Sequence, residues 1–290
     1  MSGGNVYTIK PELAFVNFFN YIKEKKINWS LGMGAHINFL INQKKINKKN
    51  SMKGILVGGM RLEKKNQIKF EKKFNFPILK TYGLTETCSF ATVDSIKKSK
   101  RSYGGSGVPI SANQIKIFDI QRNKSLNKFK IGEIRIKGRN IFSSYLNKKK
   151  MTKDKFINGW FCSGDLGYFD NKKNLFIEDR IDNMIIVSGE NVYPSEIEKH
   201  LLNLKHIQEG YIVGKKHKIK GNEICLVFKS KNNIEQKQIE IWKEYLSSKI
   251  SNYKIPTRFL KIGDLNLKDF PRLANGKINK LELIKIIKKK

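Results

Sequence analysis

At 290 residues and 39% hydrophobic content, the chain can bury one large core or two modest ones. It has no apolar run of about 18 residues that would make a membrane-spanning helix, and Met1–Tyr7 lacks the blocks of a secretion signal. The formal charge of +33 invites a polyanionic partner, yet the 58 basic residues are 8 arginines and 50 lysines spread along the whole length, which reads as compositional bias rather than a phosphate-gripping face.

Residues 5–10 read as a short strand. From Pro11, the spacing of Phe15, Phe18, Phe19 and Ile22 predicts a helix with an aromatic face. Ile27 to Met33 reads as a strand, and Ile37, Leu40 and Ile41 mark a short helix in which His36 stands alone. Gly54 to Gly59 is a buried strand running into a glycine pair. A lysine-rich helix over about 62–75 and a strand from Pro77 to Thr81 follow. Strand and helix alternating over short connections imply parallel pairing. In such sheets ligands gather where strands end. Gly58-Gly59 offers bare backbone to a flat ring, or is simply a tight turn. Thr81-Tyr82-Gly83-Leu84-Thr85-Glu86-Thr87 places a ring, hydroxyls and a carboxylate around a glycine. Such a set can stack a base, donate to a phosphate and ligate magnesium, which favours one carboxylate shared with substrate phosphates.

Beyond Tyr103 the texture changes. The loop Gly104 to Pro109 precedes strands at Gln114 to Phe118 and Gly132 to Gly138, suggesting a small antiparallel barrel or sheet. Asp165 sits in the glycine turn of Gly159 to Gly167. Next, Arg180 and Asp182 lie in a polar connector. Met184 to Val187 reads as a strand, Gly189 as a turn, and Pro194 as the start of a helix with Ile197, Leu201 and Leu204 on one face. Tyr211 to Gly214 and Glu223 to Lys229 read as strands, and Ile239, Trp242, Leu246 and Ile250 as a helix. The tail carries Phe270-Pro271-Arg272-Leu273-Ala274-Asn275-Gly276-Lys277-Ile278. Cys88, Cys162 and Cys225 are odd in number and far apart, so neither a disulfide framework nor a zinc site is expected, and a reducing cytoplasm is the default.

Four strings then resemble, in family order, motifs of the adenylate-forming (AMP-binding) ligases: acyl- and aryl-CoA synthetases, luciferases and peptide-synthetase adenylation domains. They are Tyr82-Gly83-Leu84-Thr85-Glu86, Ser163-Gly164-Asp165, Arg180 to Glu198, and Pro271 to Ile278. The resemblance implies an α/β fold. Residues 1–181 would be the C-terminal part of a large AMP-binding domain, truncated ahead of residue 1, with a parallel-sheet portion over about 1–100 and a β-barrel-like portion over about 101–181. Residues 182–290 would be a small mobile α+β domain hinged at Asp182. It further implies that Gly58, Gly59, Tyr82, Gly83, Asp165 and Arg180 hold the nucleotide, and that Thr85 and Glu86 act at the phosphates with Glu86 on Mg2+. Lys277 would be catalytic, and Ser188, Gly189 and Glu190 would line the thiol channel. The implied chemistry is ATP-dependent activation of a small carboxylic acid to an acyl-adenylate, then transfer to coenzyme A, in the setting of fatty acid metabolism.

The chain departs from the pattern chiefly in lacking the upstream phosphate-wrapping loop ending in Pro-Lys-Gly, and no Gly-x-x-x-x-Gly-Lys-Ser/Thr replaces it. A separate chain supplying that half, and exposed apolar sheet edges on this one, are therefore expected. Ser163 stands for the usual threonine, Ser144 for the glycine before Tyr145, and Asn279-Lys280 where arginine is frequent. Three functional readings remain: a fragment or split subunit of an acid–CoA ligase, a non-catalytic remnant that keeps nucleotide binding, and a basic nucleic-acid-binding protein. The first is preferred.

Overall fold

The structure, a computed structural model, describes residues 4–10, 16–43, 50–59, 62–217, 219, 221–273, 276 and 278–288. Internal contacts divide the chain into two compact units, residues 1–163 with 167–177, and residues 164–166 with 178–290.

The first unit opens on a mixed five-stranded sheet in the order β1 (Trp29–Met33), β2 (Gly54–Gly58), β3 (Ile78–Tyr82), β4 (Thr92–Val93), β5 (Val108–Pro109). The first three strands are parallel, and β4 and β5 run antiparallel. Helices α1 (Phe18–Lys25), α2 (Gly34–Asn42) and α3 (Lys64–Phe74) connect the parallel strands. Their apolar stripes form one cluster with Ile55 and Val57 of β2 and Ile78 of β3: Phe18 and Ile22 from α1, Ile37, Leu40 and Ile41 from α2, Phe70 and Phe74 from α3. The lysines of α3 fall between those positions, and the helix stops where Asn75 turns left-handed.

All three helices therefore cover one face. Because side chains alternate along a strand, the other face of β1 presents Trp29, Leu31 and Met33, which are 41%, 74% and 51% exposed. Parallel sheets are ordinarily covered on both faces. The exposed apolar edge expected from the sequence is thus present at β1. The strand expected at residues 5–10 is not: residues 4–10 are irregular and pair with no strand among the described residues. A strand is defined by its partner, and apolar content alone supplies none. Of the helix expected from Pro11, residues 11–15 lie outside the described residues.

A second sheet runs β10 (Leu175–Arg180), β9 (Trp160–Phe169), β7 (Gly132–Gly138), β6 (Asn113–Phe118), with β8 (Phe156–Ile157) against β9. Ile115, Ile117, Ile134, Ile136 and Leu175 make its core with Ala91. A short helix, α4 (Lys149–Asp154), precedes β8.

The second unit begins with the hairpin β11 (Ile185–Val187) and β12 (Glu190–Val192), then α5 (Pro194–Leu201). Its main sheet is β13 (Glu209–His217), β14 (Gly221–Lys229), β15 (Arg258–Lys261), antiparallel then parallel. Along β14 the parity of side chains splits the interior. Ile224, Leu226 and Phe228 join α5 and α6 (Gln236–Ser247) through Ile197, Leu201, Trp242 and Leu246. Cys225 and Val227 face the opposite way, onto Ile262, Leu265, Phe270 and α7 (Lys280–Lys288). Among the described residues no helix is long and apolar enough to cross a membrane.

Candidate functional site

In the first unit the chemistry-bearing residues gather where β2 and β3 end. Gly58 is fixed by space: a Cβ there would sit 2.6 Å from Thr81 Oγ1, and Gly59 follows at φ +74°. After Tyr82, whose ring packs on the second sheet's core, Gly83 allows the chain to fold back on itself. A Cβ at Gly83 would lie 2.1 Å from the Ser89 carbonyl oxygen. Between these points Thr85–Thr87 forms one turn of 3₁₀ helix. Thr87 is fully buried and closes the turn from inside, its Oγ1 accepting from Leu84 N at 2.9 Å and donating to Leu84 O at 3.0 Å. Thr85 is exposed and Glu86 half-buried, so the turn carries a hydroxyl and a carboxylate on its outer side.

The segment after β7 braces this turn. Asn140 Nδ2 donates to the carbonyls of Thr87 (2.8 Å) and Phe90 (2.6 Å), and Phe142 N donates to Glu86 O at 2.9 Å. Tyr145 Oη donates to Glu86 Oε1 at 2.6 Å. No sequence signal marks Tyr145 for this role, since it lies 59 positions away and the contact depends on how β7 is placed.

Among the described residues no cluster of three or more His, Cys, Asp or Glu side chains could cage a metal ion. A lone carboxylate at the edge of a turn suits a cation that takes most of its ligands from phosphate and water. Glu86 therefore fits magnesium brought in with a nucleotide, and no caged resident metal is indicated among those residues.

In the second unit, Asp165 is 7% exposed and pairs through Oδ1 with Arg180 Nη1 at 3.0 Å. Gly164, at φ +74°, brings the backbone under the guanidinium, where a Cβ would sit 3.0 Å from Arg180 Nη2. Arg180 also reaches Asp182 Oδ2 at 3.4 Å. Burial would pull the guanidinium's pKa down, but the two carboxylates outweigh it and hold it above the ordinary value. Asp182 is exposed within the 3₁₀ turn Ile181–Asn183. Ser188 and Gly189, at φ +51° and +86°, form the two-residue turn between β11 and β12. They and Glu190 are exposed.

Lys277 lies outside the described residues. Its neighbours form a stem, with Arg272 and Ile278 in an antiparallel bridge and Asn279 N donating to Pro271 O at 2.8 Å. Arg272 ties that stem to β13 through Glu209 at 2.6 Å, and Tyr211 Oη donates to the same carboxylate oxygen at 2.7 Å. The structure thus brings Gly58, Gly59, Tyr82, Gly83, Thr85 and Glu86 to one sheet end, and Asp165, Arg180 and Asp182 to one connector.

The AMP-binding enzyme family model matches residues 1–146. The 2-succinylbenzoate–CoA ligase of Enterococcus faecalis is 34% identical over 233 residues, covering 79% of this chain and 45% of that protein. Its counterpart from Bacillus subtilis is 32% identical over 209 residues, covering 72% and 41%. Among solved structures, o-succinylbenzoate CoA synthetase from Bacillus subtilis with its acyl-adenylate superposes at TM-score 0.81 and 28% identity, over 93% of this chain and 53% of that one. The same enzyme with ATP and magnesium gives 0.80 at 28% identity, over 93% and 54%. The chain spans about half the length of the relatives it matches. These relatives are ligases of an aromatic succinyl acid, so the expected setting of fatty acid metabolism has no support among them.

Proposed function

The chain belongs to the AMP-binding enzyme family, and from that premise we propose that it carries the nucleotide-gripping and lysine-bearing part of an AMP-forming acid–CoA ligase. The observation that supports this most is the turn closed by Gly83 and Thr87, which holds Glu86 beside the glycine pair at the end of β2. The reaction has two halves. A carboxylate oxygen attacks the α-phosphorus of ATP and pyrophosphate leaves with the displaced electron pair. The thiol of coenzyme A then adds to the acyl carbonyl and AMP departs.

Each residue has a part in this reading. The backbone at Gly58-Gly59 and the ring of Tyr82 flank adenine. Asp165, an acceptor-only group when ionised, faces the two ribose hydroxyls, while Arg180 orients it and reaches towards phosphate. Thr85 donates to a phosphate oxygen and Glu86 holds magnesium, whose charge offsets that of the departing pyrophosphate. Lys277 bridges the carboxylate and α-phosphate oxygens, cancelling the repulsion between two anions. Rotation at Asp182 then exchanges Lys277 for the hairpin tip Ser188-Gly189-Glu190 at the thiol channel, so one pocket serves both halves. In this reading residues 1–181 and 182–290 are the two moving bodies.

The acid is placed in the class the relatives' names give, an aryl-substituted dicarboxylate. The half-length match favours a second reading of the chain alone, as a nucleotide binder that turns over only with the remaining half of the large domain supplied, from a separate chain or a continuous one. Pyrophosphate release dependent on 2-succinylbenzoate, measured with and without the co-expressed first half of the Enterococcus faecalis relative, tests both. Release only with both present is the expected result, and Lys277→Ala should slow adenylate formation by about 10²-fold or more. Full-speed adenylate formation by that variant would overturn the assignment of the lysine.

A further inference from the structure

Glu86 is held by one oxygen only. Tyr145 Oη donates to Oε1 at 2.6 Å, and among the described residues Oε2 makes no hydrogen bond or ion pair. Tyr145 is itself well anchored. Its backbone N donates to Thr152 Oγ1 at 3.0 Å, and its ring lies 4.7 Å from that of Phe142, whose own N–H holds the Glu86 carbonyl. The same short segment therefore grips both the main chain and the side chain of Glu86, and an isolated carboxylate that would otherwise spin about its last bond points in one direction.

A phenol donating to Oε1 spends that oxygen's electron density. A cation arriving at the carboxylate then has a single full-strength oxygen to use. This distinction separates two kinds of divalent ion. Magnesium takes six ligands at near-ideal octahedral geometry, usually one oxygen per carboxylate, whereas calcium accepts seven or eight and readily takes both oxygens of one carboxylate. Resting on the reading that Glu86 meets the metal of a metal–nucleotide complex, we propose that Tyr145 is a positioning and specificity residue: it reserves Oε1, so that Glu86 offers only Oε2 and the site selects a small octahedral cation over calcium.

The test uses the full chain, with Mn2+·ATP as an octahedral probe read by the relaxation of water protons, Ca2+ as competitor and metal-free AMP as control. Tyr145→Phe keeps the ring against Phe142 and removes only the hydroxyl; circular dichroism and the melting temperature of each variant report folding. The wild-type chain should enhance the relaxation, and Tyr145→Phe should bind Mn2+·ATP about tenfold more weakly, as expected for loss of a hydrogen bond to a charged group. It should also release the probe at lower Ca2+ while its affinity for AMP is unchanged. In the background of Glu86→Gln the second substitution should have no further effect, a coupling that a general loosening of the fold would not produce. Equal Mn2+·ATP affinity and equal Ca2+ competition in wild type and Tyr145→Phe would overturn the proposal and leave the nucleotide-binding reading intact. No Mn2+·ATP complex with the wild-type chain would overturn both.

Discussion

Asp179 Oδ2 accepts the backbone N–H of Ser195 at 2.9 Å, so that the last turn of β10 caps the first turn of α5. The other oxygen takes Asn183 Nδ2 at 2.9 Å and Arg180 N at 2.7 Å. Tyr193, at the usual capping position, contributes no side-chain hydrogen bond. The acceptor that α5 needs therefore arrives from 16 residues upstream, across Asp182. Asp179→Ala should lower the unfolding free energy of the second unit by about 1 kcal/mol, the ordinary value of a lost cap, and speed hydrogen exchange at Ser195. Unchanged exchange at that amide would show that the cap is dispensable.

Gly83 and Gly58 are both close-approach glycines, but what they approach differs. An added Cβ at Gly83 meets the Ser89 backbone, which cannot step aside, whereas at Gly58 it first meets the Thr81 hydroxyl, which can rotate. Gly83→Ala should abolish nucleotide binding by displacing the Glu86 turn, and Gly58→Ala should weaken it far less. Calorimetric titration with ATP and magnesium, wild type alongside, makes the comparison, and equal losses would contradict the steric account.

The cysteines divide by burial. Burial, with a smaller push from Glu133, raises Cys162 to about 11, and burial with Glu223 raises Cys225 to about 11, from an ordinary value of 9.0. Cys88 is exposed. At neutral pH a thiolate-directed alkylating reagent should mark Cys88 in the folded chain and all three in urea, counted by mass spectrometry. Because the native state keeps these two protons where the unfolded chain releases them, stability is unaffected below about pH 9 and falls as pH rises from 9 towards 11. Tyr211, lifted to about 12 by burial and by Glu209, extends the same fall upwards.

Two residues on neighbouring strands offer a sharp contrast. Ile55 of β2 is fully buried under the helices, and Leu31 of β1, on the opposite face of the sheet, is 74% exposed. Ile55→Ala should cost about 2–5 kcal/mol in urea unfolding, and Leu31→Ala within about 0.5 kcal/mol. Leu31→Lys should reduce binding of an apolar dye without changing the circular dichroism, as expected if the bare side of β1 is the surface such a dye finds.

Much of the architecture was legible because its signals are local. The spacings of Phe18 and Ile22, of Phe70 and Phe74, and of Trp242 and Leu246 each announce a helix whose buried side they become. What escaped notice depends on distant partners or on lysine-diluted pattern. Glu190–Val192 has no strand composition and pairs only because the Ser188-Gly189 turn folds it onto β11. Arg258–Lys261 becomes a strand by lying parallel to β14, and Lys280–Lys288 hides two buried residues, Leu283 and Ile287, among lysines and exposed isoleucine neighbours. The candidate nucleotide residues were readable as motifs, but Tyr145, Asn140 and Asp179, which hold those motifs in place, were not. Their partners lie 59, 53 and 16 positions away along the chain.

One strand separates two interiors by nothing more than the parity of its positions. Inserting a single residue between Ile224 and Phe228 would swap the contents of both, sending Cys225 and Val227 among the side chains of Trp242 and Leu246 and the larger residues onto α7. Length in this stretch is therefore frozen, and tolerated insertions in this half of the molecule should accumulate in the connections at either end of β14. Selecting folded clones from a library of one-residue insertions across 209–261 would map that frozen window directly.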